Sequence, residues 1–213
     1  MPPLPPLPDG PGLIFVLSGP AGSGKTTLCD QLLAAAPRTR RIVTCTSRAP
    51  RPGERDGVDY HFLSAAEFEK GLAAGEFFEH ALVHNNHYGS RTRDVRALLD
   101  RKQDILLNID VQGAAALRET VAADPALAGR LATIFIYPPP LAELRARLQA
   151  RAQDKADEIE RRLQRARSEV ARWDEFDYLI PGGSRESDFQ NLLAIYLAER
   201  LHSRPGLTPP VMW

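Results

Sequence analysis

Residues Leu13 to Leu28, LIFVLSGPAGSGKTTL, set five apolar residues directly before a glycine-rich turn. A continuous apolar run of this length predicts a strand buried on both faces, the habit of a parallel sheet. The turn, Gly19-Pro20-Ala21-Gly22-Ser23-Gly24-Lys25-Thr26, has the spacing G-x-x-x-x-G-K-[ST]. Its glycines let the backbone curl until several N–H groups face one anion. A helix starting near Lys25 would point its positive end at the same place. The spacing therefore makes Gly19 through Thr27 a candidate phosphate site. Lys25 is its mobile point charge, and the Thr26 hydroxyl is a candidate Mg²⁺ ligand. A loop that merely closes a strand–helix turn is the bland alternative, and the flanking apolar strand argues against it.

The 213-residue chain supplies what such a loop needs, one α/β domain with a sizeable core. Helices are expected at Thr27–Ala36, 62–75, Arg91–Arg101, Ala114–Ala123, Leu141–Ala150, Asp154–Trp173 and Phe189–His202. Strands are expected at Ile42–Thr46, Glu76–Val83, Ile105–Asp110, Leu131–Tyr137 and Asp177–Ile180. Ser64 with Glu67 reads as a capping box. Alternating strands and helices predict a parallel sheet. The proline-rich start, MPPLPPLPDGPG, and Ser203–Trp213 read as loose ends.

Lys plus Arg and Asp plus Glu are both 27, so no global basic excess points to nucleic acid. No apolar run nears the ~20 residues of a membrane span, and the start lacks the regions of a signal peptide. Two cysteines, Cys29 and Cys45, without metal-ligand spacing suit a reducing cytoplasm. Any anion site must then be a local cluster. Arg48 and Arg51, three apart around Pro50, could clamp a phosphate or could be ordinary loop arginines. Asp110, at a strand's carboxyl end, could serve Mg²⁺ or cap the next helix. Arg147 and Arg151 share a helix face.

Five strings make the chain resemble the guanylate kinase family from about Leu13 to Leu201. They are GPAGSGKT from Gly19, TSRAPRPGERDGVDYHF from Thr46, GEFFEHALVHNNHYGS from Gly75, NIDVQG from Asn108, and RAQD from Arg151 with the helix holding Glu158 to Leu163. The resemblance implies a three-layer P-loop NTPase fold with a parallel sheet, an inserted GMP-binding region and a helical lid. It divides the chain into a disordered arm (1–11), a kinase-like domain (12–203) and a loose tail (204–213). Within the domain the core is 12–43, 91–146 and 166–203, the GMP-binding region 44–90 and the lid 147–165. It implies phosphoryl transfer from Mg²⁺-bound ATP to GMP or dGMP, with small-molecule partners, no nucleic acid, no membrane and an oligomeric state left open. Arg48, Arg51, Tyr60 and Tyr88 would hold the GMP phosphate; Thr44, Glu79 and Ser90 would contact guanine. Asp110 would serve substrate or metal. Lys25, Arg48, Arg147, Arg151 and Arg162 would carry catalysis. Glu79 suits guanine because a carboxylate accepts both N1–H and the exocyclic amine, a donor pair that adenine lacks. Two other readings stand beside this one, a P-loop kinase with an altered acceptor and a silent interaction module. The chain departs from the family pattern at Asn108, where an acid is usual, at Arg151-Ala152, and at Pro181-Gly182-Gly183.

Overall fold

The computed structural model describes residues 7–83, 85–151 and 156–208, the side chains of 150, 151 and 156–158 excepted. In chain order the elements are β1 (Ile14–Ser18), α1 (Lys25–Ala35), β2 (Thr39–Arg41), β3 (Cys45–Thr46), β4 (His61–Phe62) and α2 (Ala65–Ala73). Then come β5 (Phe77–Val83), β6 (Asn86–Arg91), α3 (Thr92–Asp100), β7 (Asp104–Asn108), α4 (Val111–Ala122) and β8 (Leu131–Ile136). The chain ends with α5 (Leu141–Arg151), α6 (Ala156–Val170), β9 (Tyr178–Ile180) and α7 (Arg185–Leu201).

The expected parallel sheet is present, in the order β2-β7-β1-β8-β9. β1 is central, and its residues divide by period two between the layers. Leu13, Phe15 and Leu17 pack with Leu28 and Leu32 of α1 and with Phe189, Leu192 and Tyr196 of α7. Ile14 and Val16 pack on the other face with Val95 and Leu99 of α3 and Leu117 and Val121 of α4. Each such side chain, taken fully out of water, contributes roughly 1.5–3 kcal/mol. A second sheet, β4-β3-β6-β5, stands beside the first.

The structure corrects three readings of the sequence. The run Ile42–Thr46 is not one strand. The chain pairs with β7 through β2, keeps the ladder as far as Ile42 N–H to Leu106 O (3.4 Å), then crosses to the second sheet as β3. β6, sequence NHYGSR, is a strand with no apolar alternation; it is held by pairing to β5 and β3. α7 starts at Arg185, four residues before the expected Phe189, because the Ser184 hydroxyl accepts the Ser187 N–H at 3.1 Å. The capping box is as expected, with Ser64 and Glu67 bonding each other's backbone N–H.

The ends differ from expectation as well. Residues 1–6 and 209–213 of the arm and tail lie outside the described residues, but from Leu7 onward the arm is docked. Thr208 N–H donates to Asp9 O at 2.6 Å, and Arg38 and Lys102 both pair with the Asp9 carboxylate. The anchor beneath is Arg200, 1% exposed. It donates to Pro11 O at 2.9 Å and Pro8 O at 2.8 Å and stands 3.4 Å from Asp104 Oδ1. Asp104, fully buried, also accepts the Leu13 N–H (3.0 Å) and the Tyr196 hydroxyl (2.9 Å). One carboxylate thus joins β7, β1 and α7. Removing one member of a buried pair leaves the other charge uncompensated. Asp104→Ala is expected to lower unfolding free energy by about 3–5 kcal/mol, read as a reduced urea midpoint at pH 7. A loss under about 1 kcal/mol would show that Arg200 finds water or another acceptor there.

Candidate active site

The turn after β1 takes the shape its glycines permit. Gly19, Gly22 and Gly24 have φ of 135°, 88° and 101°, in the region that side chains avoid. A Cβ on Gly19 would also run into the Ile136 carbonyl of β8. Gly24 caps α1 without any side-chain bond, so the first amides of α1 stay turned toward the loop. Ser23 Oγ is buried with no hydrogen-bond partner among the described residues. Lys25 Nζ donates to Gly19 O (2.5 Å) and Pro20 O (3.0 Å), so the ammonium rests on the loop itself. Pro20, Ala21, Thr26 and Thr27 complete the turn and the first residues of α1. The Asn108 amide, at the end of β7, donates to Thr26 Oγ1 at 3.4 Å.

Across a cleft of about 680 Å³ stands the second sheet, a volume suited to a small-molecule ligand. Thr44, Arg48, Arg51, Tyr60, Glu79 and Tyr88 line it together with Gly19, Ala21 and Lys25. Arg48 is held in place rather than waving in solvent. Its Nε donates to Tyr88 Oη (3.3 Å), one terminal nitrogen donates to both Glu54 oxygens (2.9 and 3.0 Å), and its guanidinium lies 5.4 Å from the Tyr60 ring centre. Glu54 also accepts the Arg51 N–H at 2.7 Å. Burial alone would raise the Glu54 carboxyl pKa; Arg48 and the Arg51 amide outweigh it and hold the group below its ordinary range. The arginine loop is therefore braced by Glu54. The sequence reading missed that residue, although it continues the three-residue spacing of Arg48 and Arg51.

Glu79, on β5, is 3% exposed at the cleft floor. Ser90, buried on β6, donates its hydroxyl to Glu79 Oε1 at 2.8 Å. Ser90 thus braces Glu79 from behind and does not line the cleft. Burial, abetted by Asp110 and opposed by the Ser90 bond, pushes the Glu79 pKa up to about 7.

Asp110 takes the capping alternative. Its Oδ1 accepts the Gly113 N–H at the start of α4 (2.9 Å), and its Oδ2 accepts from Arg165 (3.1 Å). Both Asp110 oxygens are engaged in this way, and Asn108 is the residue that reaches Thr26. Arg165 also pairs with Glu169 (2.9 Å). Burial raises the Glu169 pKa against the pull of Lys25 and Arg165. Arg165 and Glu169 both line the cleft and escaped the sequence reading. Their i,i+4 spacing on α6 was legible, but their landing on Asp110 was not.

Helices α5 and α6 pack through Leu144, Leu148, Ile159, Leu163 and Ala166. Arg162 reaches the cleft. Arg147 donates to Gly22 O (3.3 Å) and pairs with Glu143, so it touches the loop after β1. The side chain of Arg151 lies outside the described residues. A second groove of about 500 Å³, lined by Tyr137, Pro138, Leu141, Leu144, Pro181 and Gly182, meets the loop through Leu144, which lies against Gly22. Among the described residues no helix is long and apolar enough to cross a membrane.

Known proteins match this chain along most of its length. The sequence profile described as guanylate kinase covers residues 13–198. A guanylate kinase of Thiobacillus denitrificans is 43% identical over 94% of this chain and 92% of its own length. One from Alkalilimnicola ehrlichii is 43% identical over 89% of this chain and 90% of its own length. The solved guanylate kinase of Anaplasma phagocytophilum superposes with a TM-score of 0.74 at 31% identity, covering 92% of this chain and 90% of that one. Agreement that runs from the first core strand into the last helix admits one conclusion: the chain belongs to the guanylate kinase family.

Proposed function

We propose that the cleft transfers the γ-phosphoryl group of ATP directly to GMP or dGMP. An oxygen of the acceptor phosphate attacks the γ-phosphorus in line, the bond to the β–γ bridging oxygen breaks, and ADP leaves with the displaced electron pair. No covalent enzyme intermediate is needed, so positioning and charge stabilisation carry the rate. The observation that supports this acceptor is Glu79, a carboxylate buried on the same cleft as Lys25. A buried acceptor set against guanine's two edge donors discriminates by ~10⁴-fold or more against a base that lacks them.

In this reading the Gly19–Thr27 loop and the α1 amides hold the β- and γ-phosphates, and Lys25 leaves its carbonyls to neutralise them. Arg48, Arg51, Tyr60 and Tyr88 hold the acceptor phosphate, with Thr44 completing the guanine side and Ser90 serving it through Glu79. Arg147, Arg151 and Arg162 act with the lid, residues 147–165, as it closes over the region 44–90 and excludes water. The apolar groove beside Gly22 takes the donor base. The donors around Thr26 fit a nucleotide-borne Mg²⁺. They offer one protein hydroxyl beside the Asn108 amide, and no group of three His, Cys, Asp or Glu among the described residues could chelate an ion alone. When bound, Mg²⁺ would offset charge on the transferring phosphate. The buried free cysteines Cys29 and Cys45 support a cytoplasmic setting.

Release of ADP from Mg·ATP should be rapid with GMP, slower with dGMP and absent with AMP, CMP and UMP; equal turnover with AMP would remove the guanine assignment. Lys25→Met should lower kcat by about 10²–10³-fold, and near-normal turnover would remove Lys25 from the transition state. The raised Glu79 pKa fixes a sign. The folded protein keeps a proton that the unfolded chain loses, so Glu79 withdraws stability as pH rises from about 4.5 to about 7. Glu79→Gln should thus melt at or above wild type at pH 8, with the difference vanishing near pH 4, while its GMP affinity falls. Wild-type GMP affinity should climb between pH 6 and 8 beyond the phosphate's own ionisation near pH ~6. Glu79→Gln should lose that extra rise.

A further inference from the structure

We infer that Gly113 is a specificity-determining residue: its missing side chain leaves the opening through which the guanine edge reaches Glu79 Oε2. The inference rests on the assignment of Glu79 to guanine and extends it to a residue that carries no functional group. Gly113 is the third residue of α4, buried, and on the cleft wall. Propensity alone disfavours glycine inside a helix, and the φ of Gly113 is not among the positive values that would require it. The reason for glycine is therefore spatial. A Cβ placed there would stand 3.2 Å from Glu79 Oε2, 3.5 Å from Asp110 Oδ1 and 3.4 Å from Ile109 Cβ. The first of these is tighter than an ordinary contact, and it falls on a carboxylate held from behind by Ser90. The Ser90 hydroxyl takes Oε1, which leaves Oε2 over the bare Cα of Gly113. A methyl group there would cover that oxygen with an apolar surface and press the carboxylate out of register. The helix itself would lose nothing, since the Gly113 N–H still caps onto Asp110.

The test is calorimetric titration of GMP and of Mg·ATP into the full chain as wild type, Gly113→Ala, Glu79→Gln and the double variant, with a thermal melt of each. Gly113→Ala is expected to bind GMP at least tenfold more weakly, to bind ATP within twofold of wild type, and to melt no lower. In the double variant the two losses should not multiply, because both changes disable the same oxygen. If Glu79→Gln loses GMP while Gly113→Ala binds it as wild type does, the Gly113 inference falls alone. Multiplying losses would also overturn it, since Gly113 would then act elsewhere. If Glu79→Gln keeps full GMP affinity, the guanine assignment falls and takes the inference with it. Should the alanine variant fail to fold, Gly113→Ser decides the matter. Its Cβ stands in the same place, but its hydroxyl can donate to Oε2 and offset the close contact, so it should keep the fold and lose GMP to the same degree, and undiminished GMP binding by that variant would overturn the inference.

Discussion

The parallel pairing of β1 between β7 and β8 fixes where the charged groups of the cleft can stand. All three strands end at the same edge of the sheet, so the loop after β1, Asn108 at the end of β7 with Asp110 just beyond it, and the Tyr137–Pro140 turn after β8 emerge side by side. Crevices at that edge are where open parallel sheets bind ligands. The loop's glycines let β1 turn there within contact of Ile136. The apolar division of β1 between α1 and α7 on one face and α3 and α4 on the other leaves the strand no alternative depth. A shift of one residue along β1 would exchange its two faces and move Lys25 and Thr26 away from Asn108.

Charge in the cleft is arranged in opposed pairs rather than pooled. Arg48 stands against Glu54, Arg165 against both Asp110 and Glu169, and Lys25 against its own loop's carbonyls. Among the described residues Glu79 has a hydroxyl and no cation as a bonded partner, and burial raises its pKa. In the proposed transfer the Arg48 guanidinium, fixed on its braced loop, would cost little reorganisation on meeting a phosphate, which is the basis of electrostatic preorganisation. The formal net charge of zero conceals this local order.

Much of this was legible because the relevant residues encode local geometry. The phosphate loop dictates its own backbone, the capping box at Ser64 and Glu67 closes within four residues, and the buried strands announce themselves as apolar runs. What stayed hidden depends on partners far away in sequence. Ile42 and Cys45 carry the same β-branched or apolar signal, yet one sits in the main core and the other in the second sheet. The polar residues of β6 become a strand only because β5 and β3 flank them. Asp110 could be read as a ligand or a cap until α6 brought Arg165 to it from 55 residues away. The arm reads as loose on its prolines alone, because Arg200, 192 residues from Pro8, cannot be paired with it by inspection.

That last contact sets the polarity of the whole molecule. Asp9 and Thr208 meet beside Lys102 and Arg38, at the edge where β7 and β1 begin. The cleft lies where those same strands finish. The described ends of the chain therefore lie side by side at the edge opposite the cleft. A short linker joining residue 7 to residue 208 would close the described backbone into a ring without crossing the cleft.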